Sequence, residues 1–236
     1  MALPKLVTPE FETKLPSTKE TIIFRPFLVK EEKILYMALE SEDEKEIENA
    51  ITNVLSACIS SDVEIKKLAS YDIEYLFLQL RSKSVGEVVE LNLRHGEDKN
   101  CDHISSVNVN LNDVKVHFYD NHNYKIQVNE ELGIKLKDPD LSHLANITGA
   151  VDDNYDNTIK VIAGCVDLVY DKENVYDDFT LDEAQEFLLS MTQEQFKNIQ
   201  EFFETIPKVK HTIKWRCKEC GINDKVEVEG LQSFFS

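Results

Sequence analysis

Glycine is scarce in this chain, with seven in 236 residues, and no run of them resembles the loops that wrap backbone amides around phosphate. Proline is equally sparse at six, and three of these (Pro4, Pro9 and Pro16) fall in the first twenty positions, which read as an extended arm. No apolar run approaches the length needed to cross a bilayer, and Met1-Ala2-Leu3-Pro4 begins nothing like a secretory leader. The expectation is a protein folded in a cytosol, where Asn146-Ile147-Thr148 is a coincidental glycosylation match. Positive charge is also deficient: 26 Lys and Arg face 44 Asp and Glu, for a net charge of −18. Such a surplus opposes binding to nucleic-acid backbones and to anionic membranes, and suits a soluble protein that meets protein partners.

Five cysteines in a reducing compartment argue for metal binding or burial rather than disulfides. Cys58 and Cys165 sit on or beside apolar helical stripes, where a thiol behaves as a small hydrophobe. Cys217-Lys218-Glu219-Cys220-Gly221 differs. Two sulfurs three positions apart, followed by glycine and flanked by strand-like Lys208 to Arg216 and Lys225 to Val228, form a knuckle that presents both to one ion. Competing readings are a redox pair, which belongs at a helix N-terminus rather than a hairpin tip, and a plain turn. Two sulfurs are half of a tetrahedral site. Cys101 is the third candidate, being the remaining cysteine outside an apolar stripe. The fourth ligand is His95, where the preceding strand ends, or His103, two residues beyond Cys101. Filled by protein in this way, the site would hold one structural Zn2+ and would not activate water.

Helical spacing is strongest from Ile47 to Ile59, opened by a capping box at Ser41-Glu42-Asp43-Glu44, and a further helix runs from about Ser70 to Lys83. Ile34, Leu35, Ala38 and Leu39 mark an earlier helix. Period-two alternation at Val89, Leu91, Leu93 and at Val107, Val109, Leu111 predicts a hairpin with His95, Cys101 and His103 at its tip. Further strand-like segments run over Val114–Tyr119 and Tyr124–Val128, and Gly133–Pro139 ends this β-rich part. Ile159, Ile162, Val166 and Val169 fit one helical stripe. Thr180-Leu181-Asp182-Glu183 and Thr192-Gln193-Glu194-Gln195 are two more capping boxes. Asp152-Asp153-Asn154-Tyr155-Asp156-Asn157 imitates the start of a calcium loop, but Asn157 replaces the turn glycine and Ala163 the closing glutamate; it reads as a polar loop that caps a helix. A faint duplication emerges, helix then strand, cysteine turn and return strand, once over Ser70–Leu111 and again over Thr192–Val228. The expected fold is α+β, helices packed with a small antiparallel β portion and a split zinc ribbon made by two hairpin knuckles. It forms one composite domain over 1–236: an arm over 1–20, then 21–140 and 141–236, each bearing a knuckle. No Ser/His/Asp grouping or other catalytic constellation is suggested.

Phe24-Arg25-Pro26-Phe27-Leu28-Val29-Lys30-Glu31-Glu32-Lys33-Ile34-Leu35, followed by Met37-Ala38-Leu39-Glu40-Ser41, resembles the N-terminal signature of the T4-type bacteriophage baseplate hub family. The likeness extends over most of the chain, with cysteine knuckles where family members tend to carry them; Arg94-His95 stands where a cysteine would open the first. The resemblance implies a non-enzymatic protein of contractile-tailed phages. It would be either a hub component present in the virion tail or a chaperone that assists hub assembly in the host cytoplasm and then leaves. Its partners would be other baseplate and hub proteins, with no nucleic acid and no membrane, and the oligomeric state is open. Arg25, Phe27 and Leu28, and the terminal Phe234 and Phe235, are the candidate partner contacts; for the Arg25–Val29 stretch, burial under the first helix is the competing and favoured reading. The alternatives from other classes are a zinc-ribbon nucleic-acid module, disfavoured by charge, and a metal-dependent hydrolase, which would need an open coordination position.

Overall fold

A computed structural model describes residues 6–41, 43–95, 101–140 and 155–234. Among them are six α-helices, three short 3-10 turns and small antiparallel sheets, so the expected α+β class is borne out. The first strands, β1 (Phe11–Lys14) and β2 (Thr21–Phe24), pair antiparallel. The N-terminal segment is therefore extended but joined to the fold, with Leu15 buried and Ser17 held through its amide and hydroxyl by the buried carboxylate of Asp72.

After Pro26 comes α1 (Val29–Ser41), then α2 (Glu44–Cys58) and α3 (Ser70–Ser84). The three-and-four spacing of α2 buries Ala50, Ile51, Val54, Leu55 and Cys58, and that of α3 buries Ile73, Leu76, Phe77 and Leu80. These faces meet the inner residues of β2, of β3 (Val88–Leu93) and of β4 (Ser105–Asn110) in one core. The capping box expected at Ser41 does not form. α1 runs through Ser41, whose hydroxyl returns to the carbonyl of Ala38, and Asp43 caps α2 by accepting from the amides of Lys45 and Glu46. A serine at the end of one helix can satisfy itself on its own last turn, and the aspartate is better placed for the next.

The Arg25–Glu31 corner sets the direction of α1. The Glu31 side chain is 3% exposed and accepts from Arg25 Nη2 at 3.0 Å and from the Leu28 amide at 2.8 Å. Arg25 also donates to the carbonyls of Pro26 and Ala57. Burial alone would raise the Glu31 pKa, but the Leu28 amide, Arg25 and Lys30 outweigh it and hold the carboxyl below its ordinary value.

A second core joins β6 (Lys125–Gln127), β7 (Gly133–Leu136), α4 (Tyr155–Gly164), α5 (Leu181–Leu189) and α6 (Gln193–Glu204). It shares α3 with the first core, because Tyr71 points into the second. Both capping boxes expected here, at Thr180 and Thr192, are present. The stripe expected from Ile159 to Val169 is instead divided. α4 ends at Gly164, and Val166–Tyr170 is a strand, β8, between β7 and the two-residue β9 (Val175–Tyr176). Glycine ends the helix cheaply, and a Val-Asp-Leu-Val-Tyr run suits the half-buried surface offered by β7. Asp152, Asp153 and Asn154 of the acidic run, and Asn146, lie outside the described residues. No helix among the described residues is long and apolar enough to cross a membrane.

The last hairpin, β10 (Lys208–Arg216) with β11 (Asn223–Glu229), forms a three-stranded sheet with β5 (Lys115–His117) in the order β11-β10-β5. The pattern of helix, strand, cysteine turn and return strand thus occurs twice, as α3-β3-β4 and α6-β10-β11. A 3-10 turn, Leu231–Phe234, closes the chain over Glu74, which accepts from the Leu231 amide; burial pushes the Glu74 carboxyl up to about 7, with nearby Glu229 adding.

Two measurements check this account. Glu31→Ala leaves Arg25 and the Leu28 amide without their shared acceptor and should lower unfolding stability by about 1–3 kcal/mol. Because the folded pKa of Glu31 is depressed, its contribution is present above the unfolded carboxylate range and lost as pH falls through the folded value. Glu74 has the opposite sign: a raised folded pKa means that the charged form disfavours the fold above about pH 7 and that the penalty fades on acidification. Glu74→Gln should therefore raise the Tm at about pH 8 and lose that advantage near about pH 5; an advantage independent of pH would contradict it.

Candidate metal centre

The hairpin tips of two different sheets meet at one point. β3 delivers His95 two residues past its end, and Cys101 precedes β4; Cys217 and Cys220 occupy the turn between β10 and β11. The ligand atoms of His95, Cys101, Cys217 and Cys220 all lie within 4.8 Å of one another. Cys101 Sγ is 3.9 Å from Cys217 Sγ, and Cys220 Sγ is 3.4 Å from His95 Nε2. A tetrahedral zinc site requires about 3.8 Å between sulfurs and about 3.6 Å between sulfur and nitrogen, from bond lengths near 2.3 and 2.05 Å. The widest spacing would contract by at most about 1 Å, a shift within reach of side-chain rotation. Three thiols and an imidazole converging at these distances fit a thiophilic divalent ion.

Local backbone explains the knuckle. The Cys217 amide donates to the Ile222 carbonyl at 2.9 Å and the Gly221 amide to the Cys217 carbonyl at 3.1 Å. Gly221 takes φ +72°, a left-handed conformation that side-chain-bearing residues resist. The amides of Cys220 and Glu219 point at the Cys217 sulfur, and together with Cys220 and His95 they lower its pKa to about 6. Cys101 receives the amide of His103, yet burial and the sulfurs of Cys220 and Cys217 hold its pKa above the usual thiol value.

His95 is held from two sides. Its Nδ1 lies 2.7 Å from Asp224 Oδ2, and its ring stacks on Trp215 at 4.6 Å with an interplanar angle of 26°. The Asp224 hydrogen bond is the main cause that raises the His95 pKa to about 9. Were a metal ion to displace the Nε2 proton, the same bond would keep the remaining proton on Nδ1 and leave the Nε2 lone pair to the ion. Asp224 was not among the residues singled out in the sequence. It pairs across the ladder with Trp215, so an acid placed opposite an inward-facing tryptophan was the available signal.

Of the other candidates, His103 lies outside the cluster and offers its amide rather than its ring. Cys58 and Cys165 are buried and lie outside it as well, with thiol pKa values pushed up to about 11 and about 12 by burial. Arg25 is engaged at the α1 corner, Phe27 is packed in part against the first core, and Leu28 is 40% exposed. Phe234 ends the last 3-10 turn; its side chain and the whole of Phe235 lie outside the described residues.

Fold and site together define an α+β protein in which two hairpins converge on a Cys3His cluster able to hold one metal ion. The chain matches the family described as T4 bacteriophage base plate protein over residues 8–236. It belongs to that family, and the relationship expected from the Phe24–Leu35 run is borne out. No curated protein and no solved structure matches it.

Three substitutions test the cluster. Cys101→Ser and Cys217→Ser should each leave the purified protein with well under the roughly one metal equivalent expected of the wild type, by elemental analysis. Asp224→Ala keeps all four ligands and should weaken metal affinity about 10–100-fold, read by competition with a chromophoric chelator.

Proposed function

We propose that this protein is a non-enzymatic structural or assembly component of the baseplate hub of a contractile-tailed phage, and that the Cys3His cluster holds a single structural zinc. Family membership over nearly the whole chain carries the first half of this reading. The donor set carries the second, because three sulfurs and one nitrogen suit zinc better than calcium or magnesium, which take oxygen. With all four positions filled by protein, the ion has no open site for water, so it would contribute to folding rather than to hydrolysis. It would join the β3–β4 hairpin to the β10–β11 hairpin, and so the first half of the chain to its end.

Partner contact is assigned to the corner after β2 and to the outer side of α1. Leu28 is 40% exposed, Val29 80%, Tyr36 65% and Met37 59%, a concentration of apolar surface on a helix whose opposite side is already packed. In this reading Arg25 acts through Glu31 by fixing the angle of α1, and Phe27 anchors the corner. The net charge of −18 counts against the nucleic-acid alternative.

Mass spectrometry of finished virions tests the role. A hub component should appear there at constant stoichiometry, whereas presence only in assembly intermediates would assign it to a departing chaperone. Chelation of the purified, reduced protein should lower its Tm and broaden the transition, and zinc should restore it; a well-folded protein with no bound metal would refute the structural zinc.

A further inference from the structure

The outward side of the β10–β11 hairpin carries an unneutralised cluster of cations on a strongly acidic protein. Val209, Ile213, Trp215 and Cys217 face inward and are buried, so the period of two places Lys208, Lys210, Thr212, Lys214 and Arg216 outward. Residues opposite one another in the ladder share a face, which adds Glu229 beside Lys210, Glu227 beside Thr212, Lys225 beside Lys214 and Asn223 beside Arg216.

The two ends of this strip differ. At the end away from the knuckle, Lys208 pairs with Glu229 at 2.7 Å, and Lys210 with both Glu227 and Glu229 at 3.0 Å. Toward the knuckle, Lys214, Arg216, Lys218 and Lys225 are exposed and make no ion pair among the described residues. Lys214 and Lys225 stand directly opposite each other, an arrangement that destabilises an antiparallel pair. In a chain with 44 acidic residues, an internal partner would be easy to supply.

Two ordinary roles account for only part of the cluster, in which Arg216 also donates through Nε to the Gly221 carbonyl at 3.0 Å. Lysine on an edge strand discourages sheet-to-sheet association, which suits Lys225 because β11 is an edge in the order β11-β10-β5. β5 pairs only with Lys208, Val209 and Lys210 of β10, so Lys214 lies beyond that ladder at an open edge and the same role suits it, but edge protection does not call for two lysines directly opposite each other. Three thiolates and a neutral imidazole around Zn2+ would leave a charge of about −1, but Trp215 and Asp224, which flank that site, alternate to the other face of the ladder from Lys214 and Lys225.

We propose that this face binds an acidic, extended segment of a partner protein, laid along the β11 edge with its carboxylates over Lys225, Lys214 and Arg216. The inference goes beyond the partner contact assigned to α1 and requires neither the zinc nor the hub role. Residues two apart on a strand repeat about every 6.8 Å, so alternating carboxylates on an extended segment match the spacing of Lys214 and Arg216. The β11 edge supplies backbone groups for strand addition. A nucleic acid fits less well. The tryptophan of this hairpin is turned inward against His95, and the rings on this face, Tyr119 and His117, lie at the Lys208–Lys210 end, away from the cations without ion pairs. A handful of cations is also small against the phosphate tract that the net charge of the protein would repel.

The probe is a fluorescein-labelled octapeptide of alternating Glu and Thr, followed by anisotropy with the full-length metal-loaded protein at low and moderate salt. Wild type should bind it with salt-sensitive affinity. The double variant Lys214→Glu/Lys225→Glu should lose about tenfold or more, while a charge-matched control, Lys66→Glu/Lys172→Glu, retains binding. Lys225→Glu alone should bind more weakly with a Tm unchanged or raised, because it replaces a repulsive cross-strand pair with an attractive one. That result separates lost recognition from lost folding. Equal losses in the double variant and its control, or no binding by wild type, would overturn the proposal. Tighter, Lys214-dependent binding of an oligothymidylate of the same length would assign the face to nucleic acid instead. A dimer by sedimentation that the double variant dissolves would identify the occupant as a second copy.

Discussion

Neither hairpin tip carries four candidate metal ligands alone, so the Cys3His cluster depends on how the rest of the chain packs the two tips together. The turn between β10 and β11 offers two sulfurs, and the tip between β3 and β4 one sulfur and one nitrogen. Four donors come together only when two separate sheets, contributed by residues more than a hundred positions apart, are held tip to tip. The supporting contacts lie on one side. Asp224 and Trp215, both on the C-terminal hairpin, orient His95, which comes from the other. The C-terminal hairpin therefore supplies two of the four candidate ligands and also positions a third.

The rest of the molecule brings those tips into register. α3 packs its Ile73, Leu76 and Leu80 face into the first core while Tyr71 enters the second. The first core already contains Val209, Ile213 and Val228 of the last hairpin. Hydrophobic burial thus brings the β10–β11 and β3–β4 hairpins into one core with α3 before any metal is considered, and ligand convergence adds specificity to an arrangement made by packing. The Arg25–Glu31 corner works locally in the same way. A buried carboxylate that accepts from a guanidinium and from the amide three residues ahead fixes where α1 starts. Helix direction is thereby set by hydrogen bonds, which leaves the outer residues of α1 free of any packing role.

Much of this was legible from residue spacing, because period and capping are local properties. The stripes of α2 and α3, the boxes at Thr180 and Thr192 and the alternation of the two hairpins each depend on neighbours a few positions away. What spacing missed depended on distant residues. Val166 and Val169 fit a helical stripe as well as a strand, and only pairing with β7 decides for the strand. Ser41 and Glu44 have the right identities for a capping box, but α1 continues through Ser41 and Asp43 takes the amides. The sequence puts His95 ahead of His103 only by its place at the end of a strand; Asp224 and Trp215, on the far hairpin, hold His95 in the cluster. Asp224 itself looked like any charged residue after a turn, since its significance lies in what faces it across the ladder.

Charge follows a similar division between what composition shows and what the fold reveals. An excess of acid, taken as a whole, disfavours polyanionic partners. It does not show that the lower half of one hairpin face is neutralised by Glu227 and Glu229 while the upper half is not. That contrast arises from strand register, which sets Lys214 opposite Lys225 and moves both glutamates toward Lys208 and Lys210. A shift of one residue would turn these side chains to the opposite face, so the register that directs Cys217 toward Cys101 also directs the unpaired cations outward. Metal cluster and cationic face are two consequences of one pairing, and the hairpin cannot alter either one without disturbing the other.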